Sequence, residues 1–231
     1  KERMTLVASE IFNVHVKGIE FRQNRIYGGN ESISFADLAQ KTWEERKSLS
    51  ATGFYQTPDI SWDPVTCSGS PFYYFTYGFA VSEVVIDTLT GETRTLRADI
   101  LQDCGQSLNP RVDYGQIEGA YVQGMGWLTS EELVWNDKGE ILTHGPSTYK
   151  IPGSRDVPGD FNIHILEDAP NRVPTIYRSK AIGEPPLMLA ISVWLALRDA
   201  VARSGDGSKR PKLNAPATPE AILNAVTEIR T

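Results

Sequence analysis

Apolar and polar positions alternate most regularly between residues 73 and 87. Val81, Glu83, Val85 and Asp87 fall on one side, and Ala80, Ser82, Val84 and Ile86 on the other. That period of two, in a stretch rich in aromatic and β-branched residues, predicts a strand. Gly91 tolerates positive φ and turns the chain, over residues 88–92, into a second predicted strand at 93–101. Shorter runs predict a hairpin of 17–21 with 25–27, and strands at 133–136 and 141–144. A further strand is predicted at 161–166, where Asn162 and His164 alternate with apolar neighbours.

Helical spacing accounts for the rest. Leu6, Val7, Phe12 and Val14 make the opening residues helix-like. Ser34 followed by Asp37 is an N-cap signal for a helix carrying Phe35, Leu38, Ala39 and Thr42. Asp113 and Gln116 form a D-x-x-Q capping pattern ahead of a helix that runs to Met125 and carries Gly119 and Gly124. Pro185 and Pro186 open the most apolar helix, at 187–203, and its residues up to Leu197 predict burial on most sides. Thr218 and Pro219 restart a last helix with Ile222, Val226 and Ile229 in one stripe. Residues 50–70, dense in Pro, Gly, Ser, Thr and Asp, read as a long ordered loop.

The sum is an α+β chain, a mixed or antiparallel sheet with packed helices. Its expected divisions are a partial element at 1–33, a core at 34–203, a linker at 204–216 and a terminal helix at 217–230. The chain opens in helical sequence without an initiator Met, so a piece of a longer polypeptide is the expectation.

Composition narrows the function classes. The chain has 231 residues, 23 Lys and Arg against 29 Asp and Glu, and a formal charge of −6. With 40% hydrophobic and 23% charged residues it is globular, not disordered. Dispersed charges with an acidic excess argue against a nucleic-acid partner, which calls for a basic field. The longest apolar run, 185–197, is broken by Ser192 and falls short of the ~20 residues a bilayer requires. No secretory segment opens the chain, so a cytoplasmic location is expected. Cys67 and Cys104 are expected to be reduced, and His15, His144 and His164 lie too far apart in sequence to suggest a metal site.

Glu184 is the leading candidate for chemistry. It sits in Gly-Glu-Pro-Pro at 183–186, where prolines fix the backbone, an apolar helix follows, and helix N-terminal amides favour a charged carboxylate. That setting suits a general base, and equally an ordinary N-cap. Gln116 reads as a capping glutamine or as an amide offered to a ligand beside the glycine-bearing helix, with Gln123 near the same face two turns on. Gly119 and Gly124 mark either close approach of a large group or tight packing between elements. Cys104 is more in keeping with a small buried apolar residue than a nucleophile, and His144 with a structural loop residue.

Ten strings, in order, resemble one family. They include Tyr-Tyr-Phe-Thr-Tyr-Gly at 73–78, Asp-Cys-Gly-Gln-Ser-Leu-Asn-Pro at 103–110 and Gly-Gln-Ile-Glu-Gly at 115–119. Gly-Pro-Ser-Thr-Tyr-Lys-Ile-Pro at 145–152, Ser-Lys-Ala-Ile-Gly-Glu-Pro-Pro-Leu at 179–187 and Ala-Pro-Ala-Thr-Pro at 215–219 extend the series. Together they resemble the C-terminal part of the molybdenum-binding region of the molybdenum hydroxylases of the xanthine dehydrogenase type. The strings at 124–127 and 186–190 lean towards the bacterial large subunit.

The resemblance implies a molybdenum–molybdopterin cofactor in the complete enzyme, with Glu184 as general base and Gln116 as a pterin contact. It further implies hydroxylation of purines with water-derived oxygen, or of aldehydes in a close relative. Iron–sulfur clusters and FAD would lie in other parts of a homodimeric parent enzyme. The family's glycine-rich cofactor loops and its substrate-gripping residues have no counterpart in these 231 residues, so the chain taken alone is expected to be inactive or to serve as an assembly module.

Overall fold

The computed structural model describes residues 1–231, which divide into two units, Lys1–Pro58 and Asp59–Thr231.

In the smaller unit, helix α1 (Glu2–Phe12) precedes strands β1 (Ile19–Arg22), β2 (Arg25–Gly28) and β3 (Glu31–Ser34), and helix α2 (Phe35–Glu44) follows. The strands form an antiparallel sheet in the order β1-β2-β3. The hairpin expected from the sequence is thus a three-stranded meander, with β3 hidden in a polar Glu-Ser-Ile-Ser run. Ser34 caps α2 as predicted, its hydroxyl accepting the Asp37 amide at 3.0 Å. Met4, Val7 and Ala8 from α1 close with Ile26 and Leu38 into a small separate core.

The larger unit is built on strands β6 (Gly78–Ile86), β7 (Thr93–Gln102) and β8 (Asp160–Ile165). Before them, β4 (Ser61–Asp63) and β5 (Ser68–Ser70) make a short hairpin inside the segment expected to be a loop. The β6–β7 hairpin forms as the alternation predicts, with Gly91 at φ 76° in its turn and a register shift between Glu83 and Val84. Strand β8 pairs parallel to β7, so the sheet is mixed. The runs at 133–136 and 141–144, expected to be strands, meet in a single bridge, Trp135 with Ile141. Their polar neighbours bond locally instead: Asn136 accepts the amides of Lys138 and Glu140.

Three helices cover one face of this sheet: α3 (Pro110–Thr129), α4 (Ile191–Arg203) and α5 (Pro219–Arg230). The core between them holds Ala98 and Ile100 of β7, Ile117 and Tyr121 of α3, Val193 and Leu197 of α4, and Ile222 and Val226 of α5. Thr218 caps α5 as expected, accepting the Ala221 amide.

The long apolar helix differs from expectation in two ways. Pro185–Ala190 is a 3-10 segment, and only Ile191–Arg203 is α-helical. Pro185 and Pro186 lack amide protons, so the first available donor, Leu187, reaches the Glu184 carbonyl in the tight i to i+3 pattern. Nor is it buried on most sides, because Met188, Ile191 and Leu195 are exposed along one stripe. Taken together, Pro185–Arg203 is a 19-residue stretch long and apolar enough to cross a membrane. Its Val193, Leu197 and Val201 lie in the core, and Arg198, Asp199 and Arg203 break its apolar character, as befits a core helix lying on a sheet.

Candidate active site

Helix α3 begins four residues earlier than the capping pattern suggests. Asn109 is at the N-cap position and Pro110 at the first turn, while Asp113 accepts the Ser107 hydroxyl at 2.5 Å. Gln116 therefore lies inside the helix and does not cap it. Its side chain is exposed, and no hydrogen bond or ion pair engages it.

Glu184 occupies the N-cap position of the 3-10 segment at φ −103° and ψ −38°, yet its carboxylate accepts no bond from the amides that follow. It too is exposed and unpaired, so the apolar residues after it do not shield it from water within this chain. The structure brings the Gln116 side chain beside Gly183, the residue before Glu184. A Cβ built on Gly183 would lie 3.4 Å from Gln116 Oε1, so the Gly183–Glu184 backbone runs directly beside the amide.

The glycines of α3 split into two kinds. A Cβ on Gly124 would come within 2.5 Å of the Leu187 carbonyl oxygen and 2.8 Å of Ala190 Cβ, so this glycine serves close packing of α3 on the 3-10 segment. Gly115 and Gly119 face open space, with no atom within 4 Å of such a Cβ. They flank Gln116 on an unobstructed surface of α3. Gln123 is also exposed.

A feature that sequence reasoning missed lies four residues before Glu184. Lys180 Nζ lies 2.5 Å from Asp103 Oδ2, with the two side chains only 11% and 6% exposed. The ammonium also stands 5.3 Å from the centre of the Tyr77 ring. The pair forms one wall of a cleft of about 620 Å³ rimmed by Tyr73, Tyr74 and Phe75. No local pattern announces it, because the partners are 77 residues apart.

Cys104 is buried, and burial, followed by the nearby Asp113 and Asp103 carboxylates, pushes its thiol pKa up. A thiol held protonated is a poor nucleophile, in keeping with a structural role. Cys67 is exposed, and neither cysteine is in a disulfide. His144 is exposed on a loop, and no group of three or more His, Cys, Asp or Glu side chains converges to hold a metal ion.

The chain is thus a helix-backed mixed sheet with the Gly183–Glu184 backbone beside an open amide. In fold the chain is similar to aldehyde oxidoreductase from Desulfovibrio gigas, with a TM-score of 0.62 and 26% identity over 81% of this chain and 20% of that one. The family model of the molybdopterin cofactor-binding domain matches residues 1–158, and the chain belongs to that family.

Among relatives, xanthine dehydrogenase/oxidase of Felis catus is 50% identical over 205 residues, covering 86% of this chain and 15% of the relative. That of Rattus norvegicus is 52% identical over 186 residues, covering 78% and 14%. The chain thus spans about 15% of the length of the curated relatives it matches. These relatives are animal enzymes, so the bacterial lean read from the strings at 124–127 and 186–190 is not supported.

Proposed function

We propose that this chain is the C-terminal part of the molybdenum-binding region of an enzyme that hydroxylates purines, hypoxanthine to xanthine and xanthine to urate. Glu184 is its general base and Gln116 its amide contact to the pterin. The observation that carries this reading is the adjacency of Gln116 and the Gly183–Glu184 segment, both polar side chains open and without partners.

These residues fit the cofactor. Gln116 offers an amide N–H and a carbonyl, and the bare backbone at Gly115 and Gly119 leaves room for a flat ring system to lie along α3. When bound, the molybdenum cofactor supplies the electron acceptor and the water-derived oxygen. As that oxygen replaces hydrogen on an electron-poor ring carbon, the C–H electron pair would pass to the cofactor and Glu184 would accept the oxygen's proton at a carboxylate oxygen. The prolines at 185 and 186 limit how far the Glu184 backbone can swing, so the carboxylate is aimed.

The remainder of the polypeptide supplies the other cofactor contacts and the substrate-gripping groups, and covers the apolar stripe of Met188, Ile191 and Leu195. Iron–sulfur and FAD parts elsewhere in a cytoplasmic, homodimeric parent pass the electrons on. The likeness to an aldehyde oxidoreductase favours a second reading, an aldehyde-oxidising relative using the same Glu184. Alone, the chain is inactive.

The test is Glu184→Gln in the complete enzyme. Turnover should fall by ~10²–10⁴-fold, the range for a lost general base, with molybdenum content and substrate binding retained. A fully loaded variant turning over near the wild-type rate would remove Glu184 from the mechanism.

A further inference from the structure

The geometry points to Lys180 and Asp103 as a positioning pair that fixes the loop bearing Glu184, an inference that rests on the reading of Glu184 as the base. The two ends of the loop are held by different means. Upstream, residues 178–181 are laced to Cys104–Gln106, just past the end of strand β7, and to Tyr74. The Lys180 amide donates to the Cys104 carbonyl at 2.8 Å, the Gln106 amide to the Arg178 carbonyl at 3.0 Å, and Ser179 bridges Gly105. The Ala181 amide donates to the Tyr74 hydroxyl at 2.9 Å. Gly105 has φ 64°, and a Cβ there would meet the Arg178 carbonyl at 2.5 Å, so the two backbones touch.

Downstream, the 3-10 segment is seated on Gly124, and the Ser192 hydroxyl ties its Leu189 carbonyl to Ser82. Only Ile182, Gly183 and Glu184 hang between the two anchorages.

Within the upstream anchorage the ion pair does what backbone lacing cannot. Asp103 is itself set by the Gly105 amide, which donates to Oδ1 at 2.8 Å, and by its own amide bond to the Tyr77 carbonyl. Its Oδ2 is left pointing at Lys180 Nζ. A largely buried ammonium has few alternative partners, so shifting the loop by one residue would separate two largely buried charges. The pair thus selects one register of the loop against the Cys104–Gln106 segment that follows β7, and with it one location for Glu184, four residues further on. Exposed pairs of this chain, such as Lys212 with Glu228, carry no such constraint, since solvent replaces either partner.

The experiment uses the complete enzyme with Lys180→Met, and Lys212→Met as the control. Amide hydrogen exchange of Gln106, Lys180 and Ala181 should quicken by ~10-fold or more, with the amides of β6 and β7 unchanged. In the cofactor-loaded enzyme kcat should fall ~10-fold or more while KM moves by less than about threefold, because a displaced base affects the transition state more than binding. The double variant Asp103→Asn with Lys180→Gln replaces the ion pair with a neutral hydrogen bond and should recover both the protection and most of kcat. Lys212→Met should leave both readouts at wild-type values.

Unchanged exchange at the three amides would overturn the proposal. So would unchanged kcat despite their opening, or uniform loss of protection throughout the chain, which marks a pair that serves stability alone. Should Lys180→Met not accumulate as folded enzyme, Asp103→Asn alone removes the anion, keeps the Gly105 bond, and is held to the same outcomes. Glu184→Gln separates the two ideas. Near wild-type turnover there rejects the base, and the exchange of the three amides still decides whether the pair fixes the loop.

Discussion

The two faces of the β6–β7–β8 sheet come from the same alternating strands and have opposite fates. The face under α3, α4 and α5 carries Ala80, Ser82, Val84, Ala98 and Ile100, mostly small or β-branched residues that let helices approach. The other face carries Phe79 at 68% exposure, Val81 at 54%, Val85 at 48% and Leu101 at 42%. Large apolar side chains thus face outward as well as inward, with charged Glu83 and Arg97 among the outward ones. Alternation tells which residues share a face, but not which face a chain of this length covers. Open apolar faces of that kind mark protein–protein contact.

Substitutions on the two faces sharpen this contrast. Ile100→Ala on the covered face should cost about 2–5 kcal/mol in urea denaturation, since it removes a buried side chain and leaves a cavity. An equal cost for Val81→Ala on the open face would erase the distinction between them. At the back of the helix layer, Gly124→Val would drive side-chain atoms into the Leu187 carbonyl and should cost about 1–3 kcal/mol.

Tyr121→Phe should cost about 0.5–1.5 kcal/mol, because the Tyr121 hydroxyl bonds Ser82 at 2.6 Å beneath the sheet. It should also change the alkaline limb. Burial pushes the Tyr121 pKa up despite its bonds to Ser82 and Ser192. Its contribution to stability is therefore fully present below the ordinary tyrosine value of about 10 and is lost as pH rises through the raised one. The phenylalanine variant should lack that loss when melting temperature is followed against pH.

The smallest effect on stability, within about 0.5 kcal/mol, is expected for Phe79→Ser with Val81→Thr on the open face. Light scattering should nevertheless show that the isolated chain self-associates and that this variant does so less. A wild-type chain that stays monomeric at high concentration would mean the face needs no cover.

What could be read from the sequence was what short-range chemistry decides. The β6–β7 hairpin follows from period-two alternation around Gly91, and the caps at Ser34 and Thr218 follow from a hydroxyl three residues ahead of a free amide. Gln116 and Glu184 were singled out from local strings, and the fold sets Gln116 beside Gly183, the residue before Glu184. Tertiary context decided the rest. Asp113 resembles a cap but bonds Ser107, because α3 begins at Pro110. Strand β3 is too polar to stand out, and the runs at 133–136 and 141–144 have strand composition but no sheet to join. The Lys180–Asp103 pair joins residues that sequence spacing gives no reason to connect.

The parallel pairing of β8 with β7 has a consequence for how the chain is made. Strand β7 ends at Gln102 and its partner begins at Asp160, with all of α3 and the segment after it in between. At ~5–20 residues per second on a ribosome, the nascent hairpin waits roughly 3–12 s with one edge unsatisfied. An open edge of that length is a template for pairing with another nascent chain. Arg97 and Asp99 sit on that strand, held together through bonds of 2.6 and 2.9 Å. Asp99 later receives the Asn162 amide of β8 at 3.0 Å. Until β8 emerges, these charges make the waiting edge a poor match for an apolar strand, so the same side chains that dock the last strand also guard its vacant berth during synthesis.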